Sequence, residues 1–221
     1  DHNERPRVTT IINKLSAGES VALISDAGTP LISDPGFILV RAVREAGFKV
    51  VPVPGCSAVI TALSAAGLAS NNFVFEGFLP AKSLARKQEM QNIIDETRTV
   101  IFYESTHRIV DSLSDMCEIL GEQRYVVIAR ELTKTFETIH GAQLKDLLSW
   151  VKEDHNQQKG EFVVLVSGVE PKEEVGFSRE TLRILDLLLT ELPVKQACAL
   201  ASKITGAKKN ALYQEALERK V

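Results

Sequence analysis

Acidic and basic side chains that could move a proton or bind a phosphate follow the predicted strands of this chain. Glu104 follows the apolar run 99–103, and Arg130 and Glu131 follow the run 124–129. A carboxylate in such a place could accept a proton from a weakly acidic hydroxyl, and an arginine could bind a phosphate. Loops at the carboxyl ends of strands commonly hold ligands in α/β proteins, so this placement predicts a site. Other candidates of this kind are Asp26, Asp34, His107, Arg108, Lys134 and His140.

Two loops that contain glycine and proline, residues 25–36 and 54–58, each lie between a predicted strand and a predicted helix. Asp34 and Ser57 are the expected N-caps of those helices. Neither loop has the spacing of a G-x-G-x-x-G fingerprint or of a Walker A loop. Backbone-rich turns offer free N–H groups and a close approach, which suits a nucleotide-like ligand.

The hydrophobic pattern predicts an α/β organisation, with a parallel sheet in the N-terminal part. Strands are predicted at 21–25, 49–53, 73–77, 99–103, 124–129, 137–140 and 162–166. Helices are predicted at 3–17, 35–46, 57–66, 88–96, 106–120 and 144–151. We expect four segments: an N-terminal α/β unit over 1–71, a second α/β unit over 72–168, a polar linker over 169–176, and a helical module over 177–221.

The C-terminal module reads as a helix-turn-helix, with predicted helices at 179–190, 193–202 and 208–217. Lys208, Lys209 and Asn210 begin the third helix. Residues 177–221 hold 8 Lys/Arg and 5 Asp/Glu, whereas the rest of the chain is acidic. A basic module on an acidic body predicts RNA contact at one end. A small three-helix packing module without a partner is the alternative.

The net charge of −3 argues against indiscriminate binding of nucleic acid. No apolar run approaches the length of a transmembrane helix, so no membrane partner is predicted. The cysteines, Cys56, Cys117 and Cys198, form neither a metal motif nor a disulfide framework. We therefore expect no bound metal and a reducing, cytoplasmic setting.

Several uncommon strings carry a family resemblance: both glycine loops, residues 75–80, 102–108, 129–134 and 137–141. In this order they resemble the ribosomal RNA small subunit methyltransferase I family of the tetrapyrrole methylase superfamily. The resemblance covers the whole chain. It implies a tetrapyrrole-methylase-like α/β fold, with two α/β units, a cofactor cleft between them and the helix-turn-helix module. It also implies a homodimer and 2′-O-methylation of a cytidine in the decoding region of small-subunit (16S) rRNA, with S-adenosylmethionine as the methyl donor.

The resemblance assigns roles to particular residues. A Tyr103 ring would cover the adenine, and the full cofactor-binding set is Gly28, Thr29, Pro30, Ile32, Ser57, Ala58, Tyr103, Ala129, Arg130, Gly160 and Glu161. From their positions in loops and at strand ends, and not from the resemblance, we expect Glu104 or Glu131 to accept the proton of the ribose 2′-hydroxyl. RNA contacts are expected from Arg108, Lys134, Lys208, Lys209 and Asn210, with Arg130 also near the RNA backbone.

The chain begins at Asp1, whereas the resemblance implies a further N-terminal segment with a first strand and a proline-rich loop. We therefore expect the N-terminal sheet to lack a core strand. Cys56 stands where relatives often carry proline. Two other functions stay open: a methylase of the same fold that acts on a tetrapyrrole or a protein, and a non-catalytic RNA-binding fragment.

Overall fold

The computed structural model describes residues 4–170, 177 and 179–218, without the side chains of 4–6, 179 and 218. The chain divides into two compact units, residues 1–170 and 171–221. Most of the predicted linker, 171–176, lies outside the described residues. The finer boundary between 71 and 72 stays a prediction. None of the described helices is long and apolar enough to cross a bilayer.

The first unit is a mixed sheet of five strands covered by helices. Its helices are α1 Glu4–Ser16, α2 Phe37–Glu45, α3 Ala58–Ala65, α4 Ser83–Gln91, α5 Ile109–Leu120 and α6 Leu144–Glu153, with a 3₁₀ turn at His155–Gln158. Its strands are β1 Phe73–Phe78, β2 Thr99–Ser105, β3 Tyr125–Arg130, β4 Thr138–Gln143 and β5 Glu161–Val166. The strand order is β1-β2-β5-β3-β4. Only β1 and β2 are parallel among these neighbours; the other pairs are antiparallel.

The central strands are apolar on both faces, because successive side chains point to opposite sides of a sheet. On β5, Val164 and Val166 pack with α5 and α6 in the larger core, whereas Val163 and Leu165 pack with α3 in the smaller one. The same alternation divides Phe102 from Ile101 on β2 and Val126 from Val127 on β3. These continuous apolar runs were predicted as buried strands, and the structure confirms them.

The predicted strands 21–25 and 49–53 are not formed, so the parallel N-terminal sheet is a wrong prediction. Both segments are without ladder partners in the part of the chain that the structure describes. Their apolar side chains are largely exposed, with Ile24 at 84% and Val53 at 82%. A strand needs a neighbouring backbone to satisfy its N–H and C=O groups, and here no described segment supplies one.

The helix predicted at 88–96 starts and ends about one turn earlier, as α4. Residues 92–95 instead form a turn after the helix, in which Ile93 is buried with Met90 in the larger core. Because apolar residues three apart also fit a helix, the sequence pattern did not separate this turn from the helix.

The second unit contains the three predicted helices: α7 Arg179–Glu191, α8 Val194–Thr205 and α9 Lys209–Glu218. Leu185, Cys198 and Leu212 are fully buried at its core, one from each helix. Gly206 ends α8 in the left-handed conformation, with φ of 75°. This glycine allows the tight turn into α9, and the helix-turn-helix prediction is confirmed.

A buried ion pair between Arg86 and Asp115 joins α4 to α5. The Arg86 guanidinium lies 2.7 Å from an Asp115 carboxylate oxygen, and it also donates to the Pro80 and Ala81 carbonyl oxygens. The Asp115 carboxylate further accepts from the Ser83 hydroxyl. Arg86 is only 3% exposed, so both charges depend on this network.

We expect Asp115→Ala to lower the free energy of unfolding by about 3–5 kcal/mol, because it leaves the Arg86 guanidinium buried without a counter-charge. Urea denaturation measures this change. Glu118→Ala is the matched control on the same helix, since the Glu118 carboxylate pairs with Lys87 near solvent and its loss should change little. Equal effects of both substitutions would contradict the prediction.

Candidate cofactor cavity

A cavity of about 600 Å³ lies between the first glycine loop, the start of α3 and the ends of four strands, β1, β2, β3 and β5. Its volume falls in the range of roughly 300–1,000 Å³ that is typical of small-molecule sites. Ala129, Leu132 and Val163 supply apolar wall, and Ser25, Ser57 and Thr106 supply hydroxyl groups. Such a surface suits a ligand with an apolar or aromatic part and a polar part.

The sheet face that packs on α3 continues into the cavity. Tyr103, Ala129 and Val163 lie on that face, at or near the ends of their strands. The Tyr103 ring is held edge-on by Phe75 and Phe78, with ring centroids 4.8 and 5.5 Å apart. Burial raises the pKa of the Tyr103 phenol, and a hydrogen bond with the Val59 backbone offsets part of that rise. The phenol is therefore neutral and fixed in place at neutral pH.

The two glycine loops meet at the mouth of the cavity. The Thr29 hydroxyl donates to the Cys56 carbonyl oxygen over 2.8 Å. In the first loop Gly28 has a φ of 72°, and the non-glycine residues Leu31 and Ser33 also have positive φ, at 74° and 55°. Because that conformation is costly for a residue with a Cβ, the loop is held in an unusual shape beside the cavity.

Gly36, and not Asp34, occupies the N-cap position of α2, which starts at Phe37. Gly36 has a φ of 133°, and a Cβ there would lie 2.9 Å from the Leu31 side chain. This close approach requires glycine and moves the helix start past the predicted cap. Asp34 therefore lies outside the helix, and it lines the cavity together with Asp26. Neither carboxylate has a hydrogen-bond or ion-pair partner among the described residues.

Ser57 takes the predicted N-cap position of α3, with extended backbone. Its side chain makes no capping hydrogen bond within the helix. Ser57 and Ala58 both line the cavity, so the free N–H groups of the first turn of α3 would be close to a ligand that occupied it. The α3 terminus therefore contributes donors to the site.

Glu104, which lines the cavity, is held by three donors. One carboxylate oxygen accepts from the Ser112 hydroxyl over 2.6 Å. The other accepts from the Ser105 backbone N–H over 2.7 Å and lies 3.2 Å from the Arg108 guanidinium. The Glu104 side chain is 1% exposed. These three contacts tie the carboxylate to the start of α5.

Glu131 is not among the residues that line the cavity, and its side chain packs over Gly160. Its carboxylate accepts from Lys134 Nζ over 2.8 Å and from the Glu161 backbone N–H over 2.9 Å. The Lys134 hydrogen bond is the main cause that lowers the pKa of the Glu131 carboxyl. A lowered pKa makes the carboxylate a weaker base at neutral pH.

Arg130 is buried and donates to backbone groups on both sides of β3. Its guanidinium contacts the Lys159 and Phe136 carbonyl oxygens and the Thr138 hydroxyl, each at 3.1 Å. Arg130 does not line the cavity. Its contacts hold the β3–β4 loop and the turn before β5.

The cavity brings together nine of the eleven residues that were predicted to bind a cofactor: Gly28, Thr29, Ile32, Ser57, Ala58, Tyr103, Ala129, Gly160 and Glu161. Pro30 and Arg130 are not among its lining residues. Glu104 lines it and Glu131 does not. The individual roles of these residues stay predictions.

The residues that were predicted to contact RNA lie in both units. The Arg108 guanidinium donates to the Ser105 hydroxyl and the Leu79 carbonyl oxygen, besides its contact with Glu104. Lys134 is shared by Glu131 and Glu161. Lys208, Lys209 and Asn210 are exposed at the turn and first residues of α9. His140, another candidate, stacks on Trp150 at 4.3 Å and supports the fold.

Sequence reasoning missed several lining residues: Ala27, Ser33, Phe78, Ser105, Thr106, Leu132, Phe162 and Val163. Two signals could have found some of them. The alternation along β5 places Val163 on the α3 face, and Phe78 lies in the uncommon string 75–80. Leu132 follows a left-handed residue in a loop, for which the sequence offers no pattern. Among the described residues, no group of three or more His, Cys, Asp or Glu side chains is arranged to hold a metal ion.

Comparison with known proteins gives two family matches. Residues 1–148 match the family Tetrapyrrole (Corrin/Porphyrin) Methylases, and residues 176–220 match the RsmI C-terminal HTH domain. The chain is 59% identical to a ribosomal RNA small subunit methyltransferase I of Escherichia coli, over 99% of this chain and 76% of that protein. It is 57% identical to the protein of the same name in Pseudomonas aeruginosa, over 99% of this chain and 78% of that protein. These matches confirm the predicted family resemblance.

Solved structures confirm the predicted fold class. The methyltransferase CobJ matches with a TM-score of 0.55 at 20% identity, over 74% of this chain and 70% of that chain. A cobalt precorrin-4 methyltransferase of cobalamin biosynthesis matches with a TM-score of 0.52 at 16% identity, over 73% of this chain and 69% of that one. At such identity the likeness concerns the fold alone.

We expect Gly160→Ala to destabilise the first unit more than Gly121→Ala does. Both glycines have positive φ, 95° and 89°, so both substitutions should cost about 1 kcal/mol of backbone strain. A Cβ at 160 would also lie 2.5 Å from Glu131 Cγ, whereas one at 121 meets nothing within 4 Å. Urea denaturation of the two variants measures the difference. Equal losses would mean that Glu131 moves aside freely.

Proposed function

The chain belongs to the ribosomal RNA small subunit methyltransferase I family, and we propose that it methylates the ribose 2′-hydroxyl of a cytidine in the decoding region of small-subunit rRNA. The observation that carries this proposal is the identity along almost the whole chain, which includes both the methylase fold and the helix-turn-helix. The relatives that match along both the methylase fold and the helix-turn-helix are named as rRNA methyltransferases. They therefore do not support the alternative substrates, a tetrapyrrole or a protein.

S-adenosylmethionine supplies the reaction with a methyl group that is already activated on a sulfonium. The residues present fit this molecule, because the cavity has apolar walls for an adenine and hydroxyls and free N–H groups for polar atoms. The nine predicted residues that line the cavity would hold it. Tyr103 is the proposed cover for the adenine, and its edge contacts with Phe75 and Phe78 keep that ring in one orientation.

A proton must leave the ribose hydroxyl as the methyl group is transferred. Glu104 and Glu131 are the acceptors that the sequence predicted, yet both carboxylates already accept from two or more donors. Asp26 and Asp34 line the same cavity without a described partner. We therefore place these two aspartates ahead of the glutamates as proton acceptors.

The RNA is proposed to contact the second unit through Lys208, Lys209 and Asn210, which are exposed at the start of α9. Cations at a helix start in a helix-turn-helix suit a phosphate backbone. Arg108 and Lys134 would have to exchange partners within the fold before they could bind a phosphate. A ribosomal particle as the substrate, a homodimer and a cytoplasmic location remain parts of this proposal.

We expect the chain to bind S-adenosylmethionine in calorimetric titration and to transfer a tritiated methyl group to small-subunit particles. Ala58→Phe should weaken cofactor binding by roughly tenfold, since a large side chain would enter the cavity at the start of α3. Ile60→Phe is the matched control, because Ile60 is exposed on the same helix and does not line the cavity.

Three outcomes would contradict the proposed function. The first is that the unaltered chain binds no cofactor. The second is that Ala58→Phe binds the cofactor as tightly as the unaltered chain does. The third is that the methyl group is transferred to a tetrapyrrole and not to RNA. RNA binding without cofactor binding would support the non-catalytic fragment.

Amide substitutions of the four carboxylates test the acceptor. We expect Asp26→Asn or Asp34→Asn to lower kcat by about 10²–10⁴, because the amide cannot take the proton. Glu104→Gln and Glu131→Gln serve as the comparison, and the cofactor Kd of every variant is measured alongside kcat. If a glutamine variant alone shows the loss while both asparagine variants retain kcat, the assignment returns to that glutamate.

A further inference from the structure

The β3–β4 loop, residues 131–137, reaches the cofactor cavity through one residue and carries an exposed aromatic ring at another. Leu132 from this loop lines the cavity. Phe136, four residues later, is 70% exposed. The same loop thus contributes to the cavity wall and presents an aromatic ring to solvent.

Arg130 joins the C-terminal end of this loop to the turn before β5. One guanidinium nitrogen donates to the Phe136 carbonyl oxygen and to the Thr138 hydroxyl, and the other donates to the Lys159 carbonyl oxygen. Arg130 is buried, so these bonds form in surroundings that strengthen them. The backbone of Phe136 is therefore anchored while its ring points away from the core.

The remainder of the loop is held by its own polar groups. The Glu131 backbone N–H donates to the Glu161 carbonyl oxygen over 3.0 Å, and the Lys134 ammonium bridges the Glu131 and Glu161 carboxylates. The Glu137 carboxylate accepts from the Thr133 N–H over 2.7 Å. Glu131 and Thr133 both have positive φ, so the loop keeps a costly shape. Such bracing fixes the loop before any ligand arrives.

The residues beside the ring are polar. Thr133, Lys134, Thr135 and Glu137 are all exposed, so Phe136 stands alone and does not belong to an apolar patch within the loop. Protein interfaces place their aromatic anchors in apolar, desolvated surroundings. A single ring among polar groups instead matches the way proteins bind unpaired bases, by stacking one aromatic face on one base.

We propose that Phe136 stacks on an unpaired base of the RNA substrate next to the nucleotide that enters the cavity. This inference rests on the proposed function, since it requires an RNA substrate. The braced loop lowers the conformational entropy that is lost when the ring is ordered on the base. Phe136 is thus a binding residue for RNA and makes no contribution to cofactor binding.

Methyl-transfer kinetics on small-subunit particles test this inference. We expect Phe136→Ala to raise KM for the particles on the order of tenfold, with kcat and the cofactor Kd unchanged. Phe136→Trp should retain a low KM because it keeps an aromatic face. Phe136→Leu, which is apolar but not aromatic, should behave like the alanine variant. Leu84→Ala is the matched control, because Leu84 is 74% exposed on α4 and does not line the cavity.

The outcomes separate the stacking from the proposed function. An unchanged KM for Phe136→Ala, or full rescue by Phe136→Leu, would overturn the stacking while methyl transfer itself continues. A change in the sedimentation of Phe136→Ala would assign the ring to a contact between copies of the chain and would also overturn it. If the unaltered chain transfers no methyl group to RNA, the proposed function fails. The stacking is then tested by the affinity for the particles alone. Equal affinities of the unaltered chain and Phe136→Ala would refute it.

Discussion

The first unit depends on the packing of helices against both faces of β2, β5 and β3. Each of these strands alternates between the larger core under α5 and α6 and the smaller core under α3. A shift of one residue along any of them would exchange the two sets of side chains, so the register is strongly specified. The same register sends Tyr103, Ala129 and Val163 to the side where the cavity forms. The hydrophobic core therefore also determines the shape of the ligand site.

The second half of the first unit and the helical module were largely predictable. The strands around Phe102, Val127 and Val164 are long apolar runs, and Gly121, Pro193 and Gly206 follow the ends of α5, α7 and α8. Such patterns depend on local chemistry and on burial on both faces. The prediction of the N-terminal strands was wrong because a strand depends on more than local composition. Residues 21–25 and 49–53 have the composition of strands, but a strand also needs a pairing partner, which composition does not report.

The parts of the cavity that backbone atoms form were predictable from the sequence. The hydrogen-bonding state of its side chains was less so. The glycine loops and Tyr103 are recognisable because their residue types and their positions at strand ends restrict what they can do. The state of each carboxylate is set by donors that are distant in sequence, such as Ser112 for Glu104 and the Glu161 N–H for Glu131. No local pattern separates a carboxylate that is already hydrogen-bonded from one that is available.

Segments 21–25 and 49–53 have a consequence for hydrogen exchange. Their amides have no described acceptor, so they should exchange with solvent almost as fast as those of an unfolded chain. The amides of β2, β3 and β5 are paired on both sides within the sheet and should exchange only when the unit opens. The cavity is lined both by the loops that follow the unpaired segments and by the ends of the paired strands. A bound ligand would therefore be detected first as slower exchange in the glycine loops that follow the unpaired segments, while the sheet would hardly respond.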